Sequence, residues 1–253
     1  MKKKRKLKLW VINTIRIFFL LIAIYSGYKI FVWIKSINEN KDIKQKISEK
    51  LDISIDGTKN EKGKYNIDFS SLKKENPDIV GYIKVNNTNI DYVVVKGKDN
   101  SYYLTHNLYK NYNVAGWIFA DYRNKFDDTD RNTIIYGHNM KDGSMFGTLN
   151  GILNKEWFEN KDNYTIIFVT EKDTYYYKIF STYSIVPEEY YISTNFESDN
   201  EFGEFVNVLK DRSVFDYGVE VTGKDKIITL SSCIGDGKKR VVLHAKFIGN
   251  SIE

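Results

Sequence analysis

The hydrophobic and polar positions divide the chain into two textures. Residues 10–28 are apolar except for Asn13, Thr14, Arg16 and Ser26, and residues 31–34 resume the run beyond Lys29. As a helix this stretch is long enough to cross the hydrocarbon core of a bilayer, which takes about 20 residues at roughly 1.5 Å each. Arg16 and Lys29 stand near its ends, where long side chains reach the headgroups, and Trp10, Tyr28 and Trp33 suit the two interfaces. No cleavage site of small residues follows residues 20–24 and the run continues past Tyr25, so the segment reads as a retained anchor and not as a cleaved signal peptide. Residues 36–64 are polar, with Ile43, Ile47 and Leu51 at helical spacing before Asp56-Gly57 and Lys62-Gly63. That pattern predicts a juxtamembrane amphipathic helix and a linker, serving either as a solvated stalk or as a helix packed on the domain beyond it.

From Tyr65 onward, short runs rich in β-branched and aromatic residues alternate with Asn, Asp and Gly clusters. They predict strands over 79–85, 90–95, 117–120, 132–136, 164–170, 174–186, 226–232 and 240–248. Two helical pieces interrupt them. Ser144 is placed to cap a helix carrying Met145, Leu149, Ile152 and Leu153, and Phe202, Phe205, Val206 and Leu209 form one face of another. A βαβ fold would need helices between most strands, so one mixed, barrel-like β domain over 65–253 fits better, after an anchor over 1–35 and a connecting segment over 36–64.

Charge changes the picture in one respect. The net charge is +5, but Lys2, Lys3, Lys4, Arg5, Lys6 and Lys8 supply six positive charges, which leaves −1 for the rest. The body of the protein therefore carries no nucleic-acid footprint. The same cluster places the N-terminus inside and residues from about 36 onward outside the membrane. A single cysteine, Cys233, excludes an internal disulfide framework and a cysteine-rich zinc site, and with three histidines no metal constellation or cofactor is expected. A lone thiol kept outside the membrane is exposed to oxidation, which points to chemistry.

Cys233 follows the β-type run Ile227-Ile228-Thr229-Leu230-Ser231-Ser232 and precedes Gly235-Asp236-Gly237, so it stands at a strand end, where a thiol can face a cleft. A thiol nucleophile needs a partner that takes its proton, and His138 meets a Gly-containing turn at the end of another apolar run. His106 lies in a Tyr/Asn-rich segment suited to a surface role, and His244 is inside the last strand. Arg240 opens that strand seven positions after Cys233. If the two strands pair, Arg240 and Cys233 come together, whereas His244 stands roughly 13 Å further along at about 3.3 Å per residue. A guanidinium beside an acyl-transfer thiol can stabilise the oxyanion of a tetrahedral intermediate. Asp236 reads as turn chemistry.

These residues resemble those of the sortases, class B in particular. Thr229-Leu230-Ser231-Ser232-Cys233 is similar to the family's TLxTC signature, Arg240-Val241-Val242 to its arginine strand and Tyr136-Gly137-His138-Asn139-Met140 to its histidine motif. Asn76-Pro77-Asp78-Ile79-Val80-Gly81-Tyr82-Ile83, Asp99-Asn100-Ser101-Tyr102-Tyr103-Leu104 and Gly116-Trp117-Ile118-Phe119-Ala120-Asp121 extend the resemblance over most of 70–248. Ser232 departs from the usual threonine, Tyr82 from tryptophan and Val93 from proline.

The resemblance implies a mainly β fold, a closed eight-stranded sortase-type barrel with helical insertions, one of them before the cysteine strand. It implies catalytic roles for Cys233, His138 and Arg240 and substrate contacts from Thr229, Ser231 and Ser232, with the Cys233 sulfur about 4–7 Å from the His138 ring. The implied partners are secreted proteins of Gram-positive bacteria carrying a C-terminal sorting signal of Asn-Pro-x-Thr or Leu-Pro-x-Thr type, and an amine of peptidoglycan or its lipid-linked precursor. Other readings fit less well. An L,D-transpeptidase carries a Ser-x-Gly-Cys pattern that Ser231-Ser232-Cys233-Ile234 lacks, and papain-like peptidases place cysteine before histidine. A tethered, non-catalytic binding domain leaves the lone cysteine beside an arginine strand without a use.

Overall fold

The computed structural model describes residues 8–51, 54–56, 64–234 and 239–250, with 54–56, 64, 233 and 234 described through the backbone alone. The turns proposed at Gly57, at Lys62-Gly63 and at Asp236 lie outside the described residues.

In chain order the elements are α1 (Leu9–Lys50), β1 (Ser54–Asp56), β2 (Lys64–Asn66), α2 (Phe69–Glu75), β3 (Ile79–Val85), β4 (Asp91–Val95), β5 (Phe119–Ala120), β6 (Asn132–His138), α3 (Lys155–Glu159), β7 (Thr165–Val169), β8 (Thr174–Ile185), α4 (Asp199–Asp211), β9 (Ile227–Ile234) and β10 (Lys239–Gly249). Eight strands close into a barrel in the order β10-β8-β7-β3-β4-β5-β6-β9, while β1 and β2 form a separate ribbon. Neighbours run antiparallel except at β4–β5 and β6–β9. Closure removes the unpaired edges that an open sheet of these strands would present. β9 lies between β6 and β10, and its side chains from Ile227 to Ser232 are all buried, which is why it reads as an almost unbroken apolar and small-residue run.

The apolar segment and the polar segment after it form one helix. α1 runs 42 residues without a break, about 63 Å at 1.5 Å per residue. Its first part is apolar, exposed and long enough to cross a membrane. Its later turns bury Ser36, Ile37, Asn40, Ile43 and Ile47, the stripe expected of an amphipathic helix. This part packs on the barrel: Asn40 Nδ2 donates to Gly116 O (2.9 Å), and the Lys44 ammonium sits 4.1 Å from the centre of the Tyr92 ring.

Two local expectations are corrected. Ser144 does not start a helix. Its amide and hydroxyl both bond Asp142 Oδ1, Met145 takes a positive φ of 52°, and Phe146 N donates to His138 O, so the chain is drawn back to β6 and only a 3₁₀ segment, Gly147–Leu153, comes after it. The strand predicted over 117–120 shrinks to Phe119–Ala120, because Trp117 N bonds Tyr103 O across a loop. The Phe202–Leu209 face is a helix, α4, capped by Ser198 with Asp199 and Glu201 in its first turn.

Candidate active site

Strand pairing brings three of the predicted residues into one row. β6 and β9 pair with His138 opposite Cys233, and β9 and β10 pair with Cys233 opposite Arg240. Neighbouring strands are about 4.8 Å apart, so the three backbones lie within roughly 10 Å across the sheet. The Cys233 side chain, and with it the expected sulfur-to-ring distance, lies outside the described residues.

A cavity of about 200 Å³ opens at this end of the barrel. Its walls include His138, Arg240, Ser231, Tyr136, Leu104, Asn100 and Ile192. His138 is half-buried there and its Nε2 lies 2.8 Å from Leu104 O. A carbonyl oxygen only accepts, so Nε2 carries a proton and Nδ1 is the nitrogen left to take or give one. The acceptor is held firmly. Asp99 Oδ1 caps the turn before Leu104, accepting from the Ser101 hydroxyl (2.7 Å) and from the amides of Ser101 and Tyr102 (2.7 and 2.9 Å), bonds that keep its carboxyl below the usual carboxylate range. Gly116, at φ 57°, presses on the far side, where an added Cβ would come within 2.4 Å of Tyr103 O and 2.7 Å of Leu104 O. Asn40 of α1 bonds that same glycine, so the apolar helix and the histidine's partner share one contact.

Arg240 is fixed from the other wall. Its Nη1 donates to the Tyr191 hydroxyl (3.0 Å), and that hydroxyl lies 3.0 Å from Ser231 Oγ. Beneath the cavity, buried Asp121 takes two bonds from the Arg123 guanidinium (2.8 and 2.7 Å), one from the Tyr136 hydroxyl (2.9 Å) and one from Asn100 Nδ2 (2.9 Å). Burial alone would raise the Asp121 carboxyl, but the bonds from Arg123, Tyr136 and Asn100 together outweigh it and hold the group below its ordinary value. Tyr136 is pushed upward by burial and by that carboxylate, so it stays a neutral donor.

Of the three residues expected to touch substrate, Ser231 reaches the cavity. Ser232 is buried, and its hydroxyl finds no hydrogen-bond partner among the described residues. Thr229 is buried in the barrel, bonding Asn132 Oδ1 (2.7 Å) and His244 Nδ1 (2.8 Å). His244 is fully buried, and desolvation lowers it to about 3. His106 is half-buried and stacks on Tyr102 at 4.0 Å. Sequence reasoning missed Tyr191, which sits in an irregular stretch with no periodic signal. It quoted Asn100 and Leu104 within a motif without giving either a role.

The barrel and this row define a protein of the sortase type, a β-barrel cysteine transpeptidase. The sortase domain family matches residues 83–248. The chain is 36% identical to sortase B of Listeria monocytogenes over 247 residues, covering 96% of this chain and 99% of that one. Sortase B of Staphylococcus aureus is 33% identical over 240 residues, 94% of this chain and 96% of that one. Among solved structures, sortase B of Bacillus anthracis superposes with a TM-score of 0.74 at 35% identity, covering 85% of this chain and 98% of that one. The substrate complex of the S. aureus enzyme gives 0.68 at 38% identity, over 72% of this chain and 85% of that one. The chain belongs to the sortase family, in class B.

Proposed function

We propose that this enzyme anchors secreted proteins to the cell wall of a Gram-positive bacterium. The Cys233 thiolate attacks the threonine carbonyl of a C-terminal sorting signal of Asn-Pro-x-Thr or Leu-Pro-x-Thr type. The tetrahedral intermediate collapses to a thioester, the peptide bond after threonine breaks, and His138 protonates the departing amine through Nδ1. An amine of peptidoglycan or its lipid-linked precursor then attacks the thioester, gives its proton to His138 and leaves joined to the threonine by a new amide. In the absence of an amine, water resolves the same thioester and the reaction becomes hydrolysis. Arg240 donates to the oxyanion in both steps, and its planar fork keeps its charge at any working pH. Ser231, on the cavity wall, contributes a substrate contact.

The observation that carries this reading is the shared row of His138, Cys233 and Arg240 beside a cavity. Residues 1–35 would hold the enzyme in the membrane with the N-terminus inside and the barrel outside. Confinement to the surface across which its substrates are secreted raises their effective concentration.

The test is to mix the full chain in detergent with Asn-Pro-x-Thr and Leu-Pro-x-Thr peptides and follow Cys233 by mass spectrometry. An adduct ending at threonine, absent in Cys233→Ala and discharged by an added amine, is the expected result. A folded enzyme that forms no adduct with any peptide of the panel counts against the reading.

A further inference from the structure

Between β8 and α4 the chain leaves the barrel and returns through a short 3₁₀ turn at Tyr190–Ile192. Irregular segments of this kind are usually loose, yet this one is held at successive carbonyls. Asn132 Nδ2 donates to Ser193 O (2.9 Å) and Tyr191 O (3.5 Å), Arg123 Nη2 to Ile192 O (2.9 Å) and Ser193 Oγ to Tyr190 O (2.9 Å). The turn presents the Tyr191 hydroxyl, which meets both Arg240 and Ser231.

The Asn132 end of this clamp continues inward as a chain with a single direction. Thr229 Oγ1 donates its only proton to Asn132 Oδ1 (2.7 Å), so its other partner, His244 Nδ1 at 2.8 Å, must be the donor of that contact. With the ring proton on Nδ1, Nε2 is an acceptor and takes the Tyr183 O–H at 2.9 Å. Tyr183, His244, Thr229 and Asn132 are all buried and stand on β8, β10, β9 and β6, four neighbouring strands. Reversing any one bond would leave a buried group unpaired, which costs more than a hydrogen bond contributes. The Asn132 carboxamide therefore has one orientation, with its NH2 toward the turn.

We infer that Asn132, Thr229 and His244 are positioning residues: a one-way hydrogen-bond chain through the barrel wall holds the Tyr190–Ser193 turn so that Tyr191 aims the Arg240 guanidinium into the cavity. This rests on the catalytic reading of Arg240. Thr229, expected from the sequence to touch substrate, acts instead two contacts away, through the turn.

The experiment uses the full chain in detergent and the peptide of the Asn-Pro-x-Thr and Leu-Pro-x-Thr panel that it processes fastest. Thr229→Val removes the hydroxyl at nearly constant shape, Thr229→Ser keeps it, and Tyr191→Phe cuts the link to Arg240. Thr229→Val and Tyr191→Phe should each lower kcat about tenfold, the worth of one hydrogen bond to a charged group, with KM within about twofold. Thr229→Ser should restore kcat to within about twofold. The double variant should be no slower than Tyr191→Phe alone, since both act on one contact. A role in stability alone would lower the melting temperature of Thr229→Val, leave its kcat at the wild-type value and make the two substitutions independent. Arg240→Ala separates the two possible failures. If it is slow while Thr229→Val keeps wild-type kcat, the positioning inference falls alone; if Arg240→Ala is as fast as wild type, or no peptide is processed, the catalytic reading falls first.

Discussion

Two rows on the same three strands have opposite fates. In one, Ile134, Thr229 and His244 face each other across β6, β9 and β10; four residues along, His138, Cys233 and Arg240 do the same. Each row contains one histidine, yet the first is sealed. His244 has lost water on every side, is held down to about 3 by desolvation and makes one fixed bond at each nitrogen, donating at one and accepting at the other. His138 keeps one nitrogen tied to a backbone carbonyl and borders a cavity with the rest of its ring. The difference shows that a histidine's value as a proton carrier lies in where its strand ends. A ring that must stay neutral to remain buried is a girder, and a ring beside solvent and an acceptor can exchange protons.

The comparison can be broken in several places. The largest expected effect is in the open row: Cys233→Ala should abolish thioester formation, read by mass spectrometry, with the fold intact by circular dichroism. Arg240→Lys should lower kcat/KM about a hundredfold, because a point charge cannot reproduce the planar fork of donors, and near-normal turnover would remove Arg240 from its role. In the sealed row, Ile134→Ala should cost about 2–4 kcal/mol in denaturant unfolding as a buried truncation, with turnover of the folded fraction unchanged. His244 carries a signature in pH. Its ordinary value of 6.5 falls to about 3 on folding, so between those limits the unfolded chain binds a proton that the folded one refuses. Stability from this group is complete above pH 6.5 and declines toward pH 3, by on the order of a few kcal/mol. His244→Gln should flatten that part of the stability curve relative to wild type; an unchanged slope would mean that the ring is already charged in the fold. The smallest effect belongs to Lys239→Ala, one residue from Arg240 but exposed, which should shift stability by less than about 0.5 kcal/mol and leave the kinetics alone.

Much of this arrangement was legible along the chain. The run over 79–85 became β3 without a shifted boundary, and those over 132–136 and 240–248 became β6 and β10 within two residues, because alternation of apolar and β-branched residues between turn signals is a local property. Cys233, His138 and Arg240 stood out for the same reason, as reactive types at the ends of such runs. The helix after Ser144 failed because Asp142, Tyr92 and the His138 carbonyl compete for the same backbone, and two of those three partners are more than a turn away in sequence. Tyr191 left no trace in any pattern, since its role depends on Arg240, 49 positions away, arriving beside it.

The residues 10–34, read alone, determined that a long apolar helix precedes the domain, and the spacing of Ile43, Ile47 and Leu51 determined that a helical stripe comes after it. Only the tertiary structure decided that the two are one helix and that its later turns grip the barrel near the partner of His138. The division has a physical cause. Periodicity, charge and turn chemistry act between near neighbours, so the sequence displays them directly. Register across strands, the closing of a barrel and the direction of a buried hydrogen-bond chain are set by contacts between residues tens of positions apart, and those exist only once the chain has folded.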